Sequence, residues 1–317
     1  DKDITIVVND DVTVTGPEHN LFIEDAANFN LTVNPGKTFK NEAGSYGGQT
    51  YEDVFAGLSS DKFTATSGTT TLDGTPISWS LSADTNDLTI ESSETPQSGE
   101  VVHIDDESLV DGSITNYGTI WSTENNAIAF DNTTITGTFT ITNASGATIQ
   151  SDSTASDEAA ILIKDTTGTV NINNVGTITS STFGVYNNDS SVTLTNTGII
   201  ASGSGSYDVI NDGTMTINNL QGASTSDPLT LTGILPSYNV MIESSSNYGQ
   251  LAVTNGTGTL DFNVADTTKL DVDLTYANVL SGVSDEQIAD LAKTFTRSGE
   301  TYEWQLEQTS TNVWQLD

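Results

Sequence analysis

Short runs of alternating apolar and small polar residues fill the middle of the chain, and they recur as a set of three. The first follows an Asn–Gly–Ile phrase: Asn116-Tyr-Gly118-Thr-Ile120, Asn143-Ala-Ser-Gly146-Ala-Thr-Ile149, Asn174-Val-Gly176-Thr-Ile178, Asn196-Thr-Gly198-Ile-Ile200 and, loosely, Asn219-Leu-Gln-Gly222. The second reads Ala127–Phe130, Ala160–Ile163, Phe183–Tyr186 and Tyr207–Ile210, and the third Thr138–Ile141, Thr169–Ile172, Val192–Leu194 and Met215–Ile217. A period of two with many β-branched residues predicts strands. Asn, Gly, Ser and Asp between them predict sharp corners. The phrase glycines lie 28, 30, 22 and 24 residues apart (146−118, 176−146, 198−176, 222−198), a spacing at which each repeat is one coil of a solenoid. Three strands per coil, with variable length confined to corners, predict an all-β parallel β-helix, right-handed by the crossover preference. Ile120, Ile149, Ile178 and Ile200 should form one interior column. The corner asparagines should stack as an amide ladder; a row of glycan or ligand contacts is the competing reading. Acceptor-type triplets such as Asn30-Leu-Thr, Asn143-Ala-Ser and Asn255-Gly-Thr carry no weight in a chain this rich in Asn, Ser and Thr.

A second repeat is sharper. Thr50-Tyr-Glu-Asp-Val-Phe-Ala-Gly-Leu-Ser59 and Thr275-Tyr-Ala-Asn-Val-Leu-Ser-Gly-Val-Ser284 agree at 5 of 10 positions. The offset of 225 persists at Gly74/Gly299, Trp79/Trp304 and Leu81/Leu306. Both copies read as ending in hairpins, Ile77–Leu81 to Leu88–Ile90 and Tyr302–Leu306 to Val313–Leu316. In the second copy Ser284 and Gln287 suggest a capping box opening a short helix with Ile288, Leu291 and Ala292 on its apolar face. The expected organisation is an N-terminal strand segment and first module over 1–100, coils over 101–265, and a C-terminal module with a short helix over 266–317. Two related modules flanking a stack would cover its edges, or serve as contact surfaces between subunits.

Composition narrows the function. There are 43 Asp and Glu against 8 Lys and Arg, a formal net charge of −35. So few cations cannot neutralise nucleic-acid phosphates, and they argue equally against anionic membrane surfaces. The charge fits a solvated extracellular surface with divalent counter-ions. Hydrophobic residues at 35% suit the thin core of a solenoid. With no cysteine, disulfides, thiol catalysis and Cys-based metal sites are excluded. No run is apolar enough to span a bilayer. A start at Asp1 suggests a mature form whose signal peptide has been removed.

Candidate chemistry is sparse. Polysaccharide lyases and glycosidases use β-helices, but Arg297 is the one arginine, and His19 and His103 are far apart in sequence. His103-Ile-Asp105-Asp106-Glu107 is the densest acidic cluster and reads as a solvated turn. Glycoside hydrolysis needs two carboxylates at a set separation, and no pair stands out. No catalytic triad, phosphate loop, zinc spacing or calcium-loop pattern is present; calcium at Asp10-Asp11 or Asp105-Asp106 would rest on electrostatics alone. No catalytic or cofactor-binding residues are assigned. Trp79, Trp304 and Trp314 read as hairpin core, and Trp121, at a corner, as the tryptophan suited to a surface role.

The run Pro236–Val253, with Tyr248-Gly-Gln-Leu251, resembles the passenger regions of bacterial autotransporter-like surface proteins. The block Thr275–Leu316, with Val279-Leu-Ser-Gly-Val-Ser284 and its closing Trp314, resembles the ending of β-strand-repeat surface proteins of aquatic bacteria. The resemblance implies a cell-surface β-helix. The ten-residue amphipathic strands of a translocator barrel are lacking. The expectation is therefore a non-enzymatic, secreted bacterial surface protein, structural or adhesive, that self-assembles head to tail into extracellular filaments with calcium. Its partners would be other copies or cell-surface glycans. The alternatives are a polysaccharide-degrading β-helix enzyme and a calcium-dependent carbohydrate-binding module.

Overall fold

The computed structural model describes residues 3–15, 21–23, 28–42, 49–51, 67–72, 75–81, 88–90, 100–105, 108–266, 269–271 and 273–317. It is a parallel β-solenoid of about eight turns. The first face stacks Asp3–Val8, Asn28–Val33, Asp111–Asn116, Thr134–Asn143, Thr167–Asn174, Ser191–Asn196, Thr214–Asn219, Ser237–Val240 and Asp261–Val264. The second stacks Val12–Thr15, Thr38–Glu42, Thr119–Ser122, Thr148–Ser151, Thr177–Ser180 and Ile199–Ala201. The third runs from Leu21–Ile23 through Val102–Asp105, Ile128–Asp131, Ala159–Lys164, Phe183–Asn188, Val209–Asn211 and Leu229–Ile234 to Leu251–Thr257. With adjacent strands ~4.8 Å apart, eight turns make a stack roughly 40 Å long.

Alternation places one residue type per column. Leu31, Ile114, Ile141, Ile172, Leu194, Ile217, Tyr238 and Phe262 are partners in successive coils, and all are fully buried. The column expected from the sequence is present: Ile120, Ile149, Ile178 and Ile200 pair coil on coil with no exposure. Burying one such side chain contributes about 1.5–3 kcal/mol. Gly112 faces Phe29 and Phe139 in neighbouring coils. A Cβ there would lie 2.3 Å from the Phe139 ring, so the glycine gives that ring room to meet Phe130 edge-on at 4.8 Å.

The corner asparagines form the amide ladder. Asn116, Asn143, Asn174 and Asn196 each donate from Nδ2 to Oδ1 of the asparagine one coil on, the last acceptor being Asn219, at 2.8–3.0 Å. Buried amides paired this way fix coil register. Asn143 is 1% exposed, which closes it to glycan attachment. The glycines of the phrase have a different reason from the one turn chemistry suggests. Gly118, Gly176 and Gly198 lack positive φ, but a Cβ at each would lie 2.1–2.3 Å from a carbonyl oxygen of the preceding coil. Close stacking, not a left-handed turn, selects glycine there. In the longer corner at Gly146, φ is +78°, and conformational freedom is the reason.

The coils begin at Asp3, well before residue 101, because Asp3–Val8 and Asn28–Val33 share the first face with Asp111–Asn116. Val33 stands where the later coils carry the ladder asparagine, so these early coils lack the phrase that marks the others. The first module is consequently an insertion. It leaves the second coil after Thr38–Glu42 and returns at Val102–Asp105. Its strands Gln49–Tyr51, Ser67–Leu72, Thr75–Leu81 and Leu88–Ile90 form a four-stranded antiparallel sheet of their own.

The second copy has the same strand order: Tyr276–Ser281, Val313–Leu316, Glu300–Ser310, Ala292–Arg297. Its outer hairpin matches the first copy residue for residue at the offset of 225. Ser67 pairs with Ser80 and Leu72 with Thr75, as Ala292 pairs with Gln305 and Arg297 with Glu300. The last strand slips by three: Leu88 lies between Tyr51 and Leu81, and Leu316, not residue 313, lies between Tyr276 and Leu306. The expected helix is one 3-10 turn, Asp285–Gln287, opened by the Ser284 N–H donating to Gln287 Oε1 at 3.2 Å. It stops there because Ile288 bridges Leu260 and Ala292 opens a strand.

Candidate functional site

The C-terminal end of the stack is closed. Tyr276–Ser281 adds to the third face as one more parallel strand, Leu280 beside Leu251. The antiparallel strands that follow carry Trp304, Leu306, Trp314 and Leu316 over the core, each 5% exposed or less. Trp304 meets Phe262, the last residue of its column, at 5.4 Å. The Trp314 indole N–H donates to the Val283 carbonyl at 2.8 Å, which satisfies its polar edge. Lys293 Nζ donates to Asp261 Oδ1 and Asn263 Oδ1, both at 2.7 Å, and this bond holds the Asp261 carboxyl below its ordinary range. Trp304 and Trp314 thus take the core role expected of them; the side chain of Trp79 lies outside the described residues.

The second face ends differently. Beyond Ile199–Ala201 the described residues add no further strand to that sheet. Gln221 stands in for one: its Oε1 accepts from the Ile200 N–H at 2.8 Å and its Nε2 donates to the Ile200 carbonyl at 3.0 Å.

Among the described residues, nothing covers the N-terminal end. Asp3–Val8, Val12–Thr15 and Leu21–Ile23 are each the outermost strand of their sheet. Val12 stands in the column of Phe39, Ile120 and Ile178, yet it is 38% exposed. Ile6, in the column that ends at Phe262, is only partly buried. Nearby, Asp10 pairs with Lys37 at 3.3 Å, and Asp11 accepts from the Thr38 N–H at 2.9 Å.

The flanks carry the remaining candidates. His103 points outward, its Nδ1 3.7 Å from Glu100 Oε2; His19, Asp106 and Glu107 lie outside the described residues. Glu100 also accepts from Asn126 Nδ2 at 3.5 Å. Beside them sits Glu158, whose carboxyl is raised to about 7, first by burial and then by the charges of Glu100 and Asp157. One of its oxygens is buried with no hydrogen-bond partner. Sequence reading missed Glu100 and Glu158, which are separated in sequence and brought together by stacking coils. Trp121 lies on the outer side of the second face, its indole donating to Asp152 at 2.8 Å and Lys40 Nζ 3.6 Å from its ring centre. Arg297 donates to the Leu270 carbonyl at 2.6 Å and lies over the Tyr302 ring. A shallow polar groove of about 500 Å3 crosses the corner between the third and first faces, lined in part by Thr167, Asp189, Asp212 and Ile234. Among the described residues, no three acidic or histidine side chains gather as a metal site would need. None of the described helices is long and apolar enough to cross a membrane.

No protein-family model, curated protein or solved structure matches the chain.

Proposed function

We propose that this protein is a non-enzymatic structural rod of the bacterial cell exterior that joins copy to copy, head to tail, into filaments. The observation that carries the reading is the inequality of the two ends. One is sealed by tryptophans, and the other leaves an interior column emerging at Val12. Joining unlike ends of a rod is a heterologous contact that propagates rather than closes. The extracellular setting is supported by the charge of −35, the absence of cysteine, and the resemblance of Pro236–Val253 and Thr275–Leu316 to bacterial surface proteins. Like charges oppose joining, so calcium promotes it by screening and bridging carboxylates.

Sedimentation velocity and electron microscopy of the full chain, with and without millimolar calcium, test the reading. Linear oligomers that lengthen with calcium are expected; a monomer at high concentration in calcium would replace it with a monomeric adhesin. Incubation with neutral and acidic polysaccharides should yield no new reducing ends or unsaturated products. Turnover abolished by Glu100→Gln or Glu158→Gln would replace the rod with an enzyme.

A further inference from the structure

We infer that the joint between copies is an antiparallel strand pair. The outer edge of Ala292–Arg297 in one copy adds to the outer edge of Leu21–Ile23 in the next, joining their twelve-stranded sheets end to end. The inference rests on the head-to-tail reading and identifies the surfaces it uses.

The two segments are the opposite ends of one sheet of 12 strands. The closing strand Val313–Leu316 is not an edge, since it lies between Tyr276–Ser281 and Glu300–Ser310. The free edge is Ala292–Arg297. It pairs with Glu300–Gln305 through six consecutive residues with no bulge. It contains no proline. Ser298 and Gly299 both have positive φ, at +56° and +85°, a primed two-residue turn that keeps the hairpin regular. In such a hairpin Arg297 and Glu300, flanking the turn, exchange their backbone bonds, and the pairs alternate from there. Thr294 and Thr296 therefore aim their N–H and C=O groups away from the sheet. Of the usual protections of an edge, bulges, proline and short length are missing here; the charged ones, Lys293 and Arg297, are present but drawn to Asp261, Asn263 and the Leu270 carbonyl of their own copy.

Side chains fit the same arrangement. Phe295 and Tyr302 stack at 5.6 Å, with Arg297 over Tyr302. Phe295 is half-buried at the margin of the core cluster. Phe295 and Tyr302 lie on the same side of the hairpin as Trp304, and a copy added at this edge brings its exposed Val12 within reach of that side. An added antiparallel strand supplies backbone bonds, and the aromatic pair supplies apolar cover.

The duplicated module provides a matched control, since Ser67–Leu72 is the outer strand of the first copy and Thr69 is the position equivalent to Thr294. Thr294→Pro, Thr296→Pro and Thr69→Pro are each made in the full chain. Melting by circular dichroism checks folding, and sedimentation in calcium gives the concentration of half-assembly. Hydrogen exchange of the wild-type peptide spanning Ala292–Arg297 is followed below and above that concentration. The expected result is unchanged melting, a half-assembly concentration at least tenfold higher for Thr294→Pro and Thr296→Pro, no shift for Thr69→Pro, and protection of the Thr294 and Thr296 amides only on assembly. Wild-type assembly by Thr294→Pro, or unprotected amides in filaments, would overturn the joint while leaving the head-to-tail reading in place. A block by Thr69→Pro alone would move the joint to the inserted module. A wild-type chain that never assembles would remove the reading itself.

Discussion

At the C-terminal end, the column that runs from Leu31 through Tyr238 stops at Phe262, and Trp304 lies on it at 5.4 Å. At the N-terminal end, the column that runs back from Ile200 through Phe39 stops at Val12, which remains 38% exposed. Both ends are built from the same alternating strands, so coil sequence does not make the difference. The difference is the antiparallel module after Asp261–Val264, which turns the third face back on itself and delivers two tryptophans. Its duplicate is attached inside the second coil and pairs, within the described strands, only with itself. Duplicating a cap does not duplicate capping: what matters is whether its first strand, Tyr276–Ser281 or Gln49–Tyr51, continues a coil.

The contrast is broken most forcefully by one charge placed at two heights in one column. Ile178→Asp buries an unpaired carboxylate in a middle coil and should cost about 4 kcal/mol or more, while Val12→Asp at the open end should cost less than about 1 kcal/mol. Denaturant unfolding measures both, and comparable losses would mean the open end is covered in solution. Trp304→Ala uncovers Phe262 and should cost about 3–5 kcal/mol, the usual range for a buried tryptophan. Asn174→Ala removes a ladder rung at the centre, leaving partners on Asn143 and Asn196 unsatisfied, for about 1–3 kcal/mol. The ladder stops before either end, at Val33 and Val240, so this loss should destabilise the middle coils and leave the contrast between the ends intact.

The smallest effect concerns Glu158, which sits against Glu100, Asp157 and Asn126, with His103 beyond Glu100. Its carboxyl holds a proton up to about pH 7 in the fold, against 4.5 when unfolded. The unfolded chain therefore releases its proton first, and stability falls as pH rises across that window. Glu158→Gln should melt a few degrees higher than wild type at pH 8 and no differently at pH 4, read by calorimetry at the two pH values.

Much of the stack was legible because alternation and β-branching report strands directly, and Ile120, Ile149, Ile178 and Ile200 fall where one strand per coil requires. The early coils were missed because Val33 and Phe39 replace the Asn and Ile that label later ones. The insertion was missed for a topological reason: an offset of 225 shows that two segments are alike but not which coil each interrupts. The 3-10 turn followed from a competition that local sequence does not reveal. Ser284 and Gln287 start a helix, but Ile288 is drawn into a bridge with Leu260. The Glu100–Glu158 corner depended on coil lengths between Val102 and Ala159, which no spacing rule supplies.

The central claim, that the stack is sealed at one end and open at the other, is tested most directly by native-state hydrogen exchange on the dilute, calcium-free chain. Amides of Asp3–Val8 and Val12–Thr15 should exchange through local opening, orders of magnitude faster than those of Val313–Leu316, which should approach the global unfolding limit. On assembly in calcium, the N-terminal amides should become protected and those of Val313–Leu316 change little. Equal, deep protection of both ends in the dilute monomer would contradict the account.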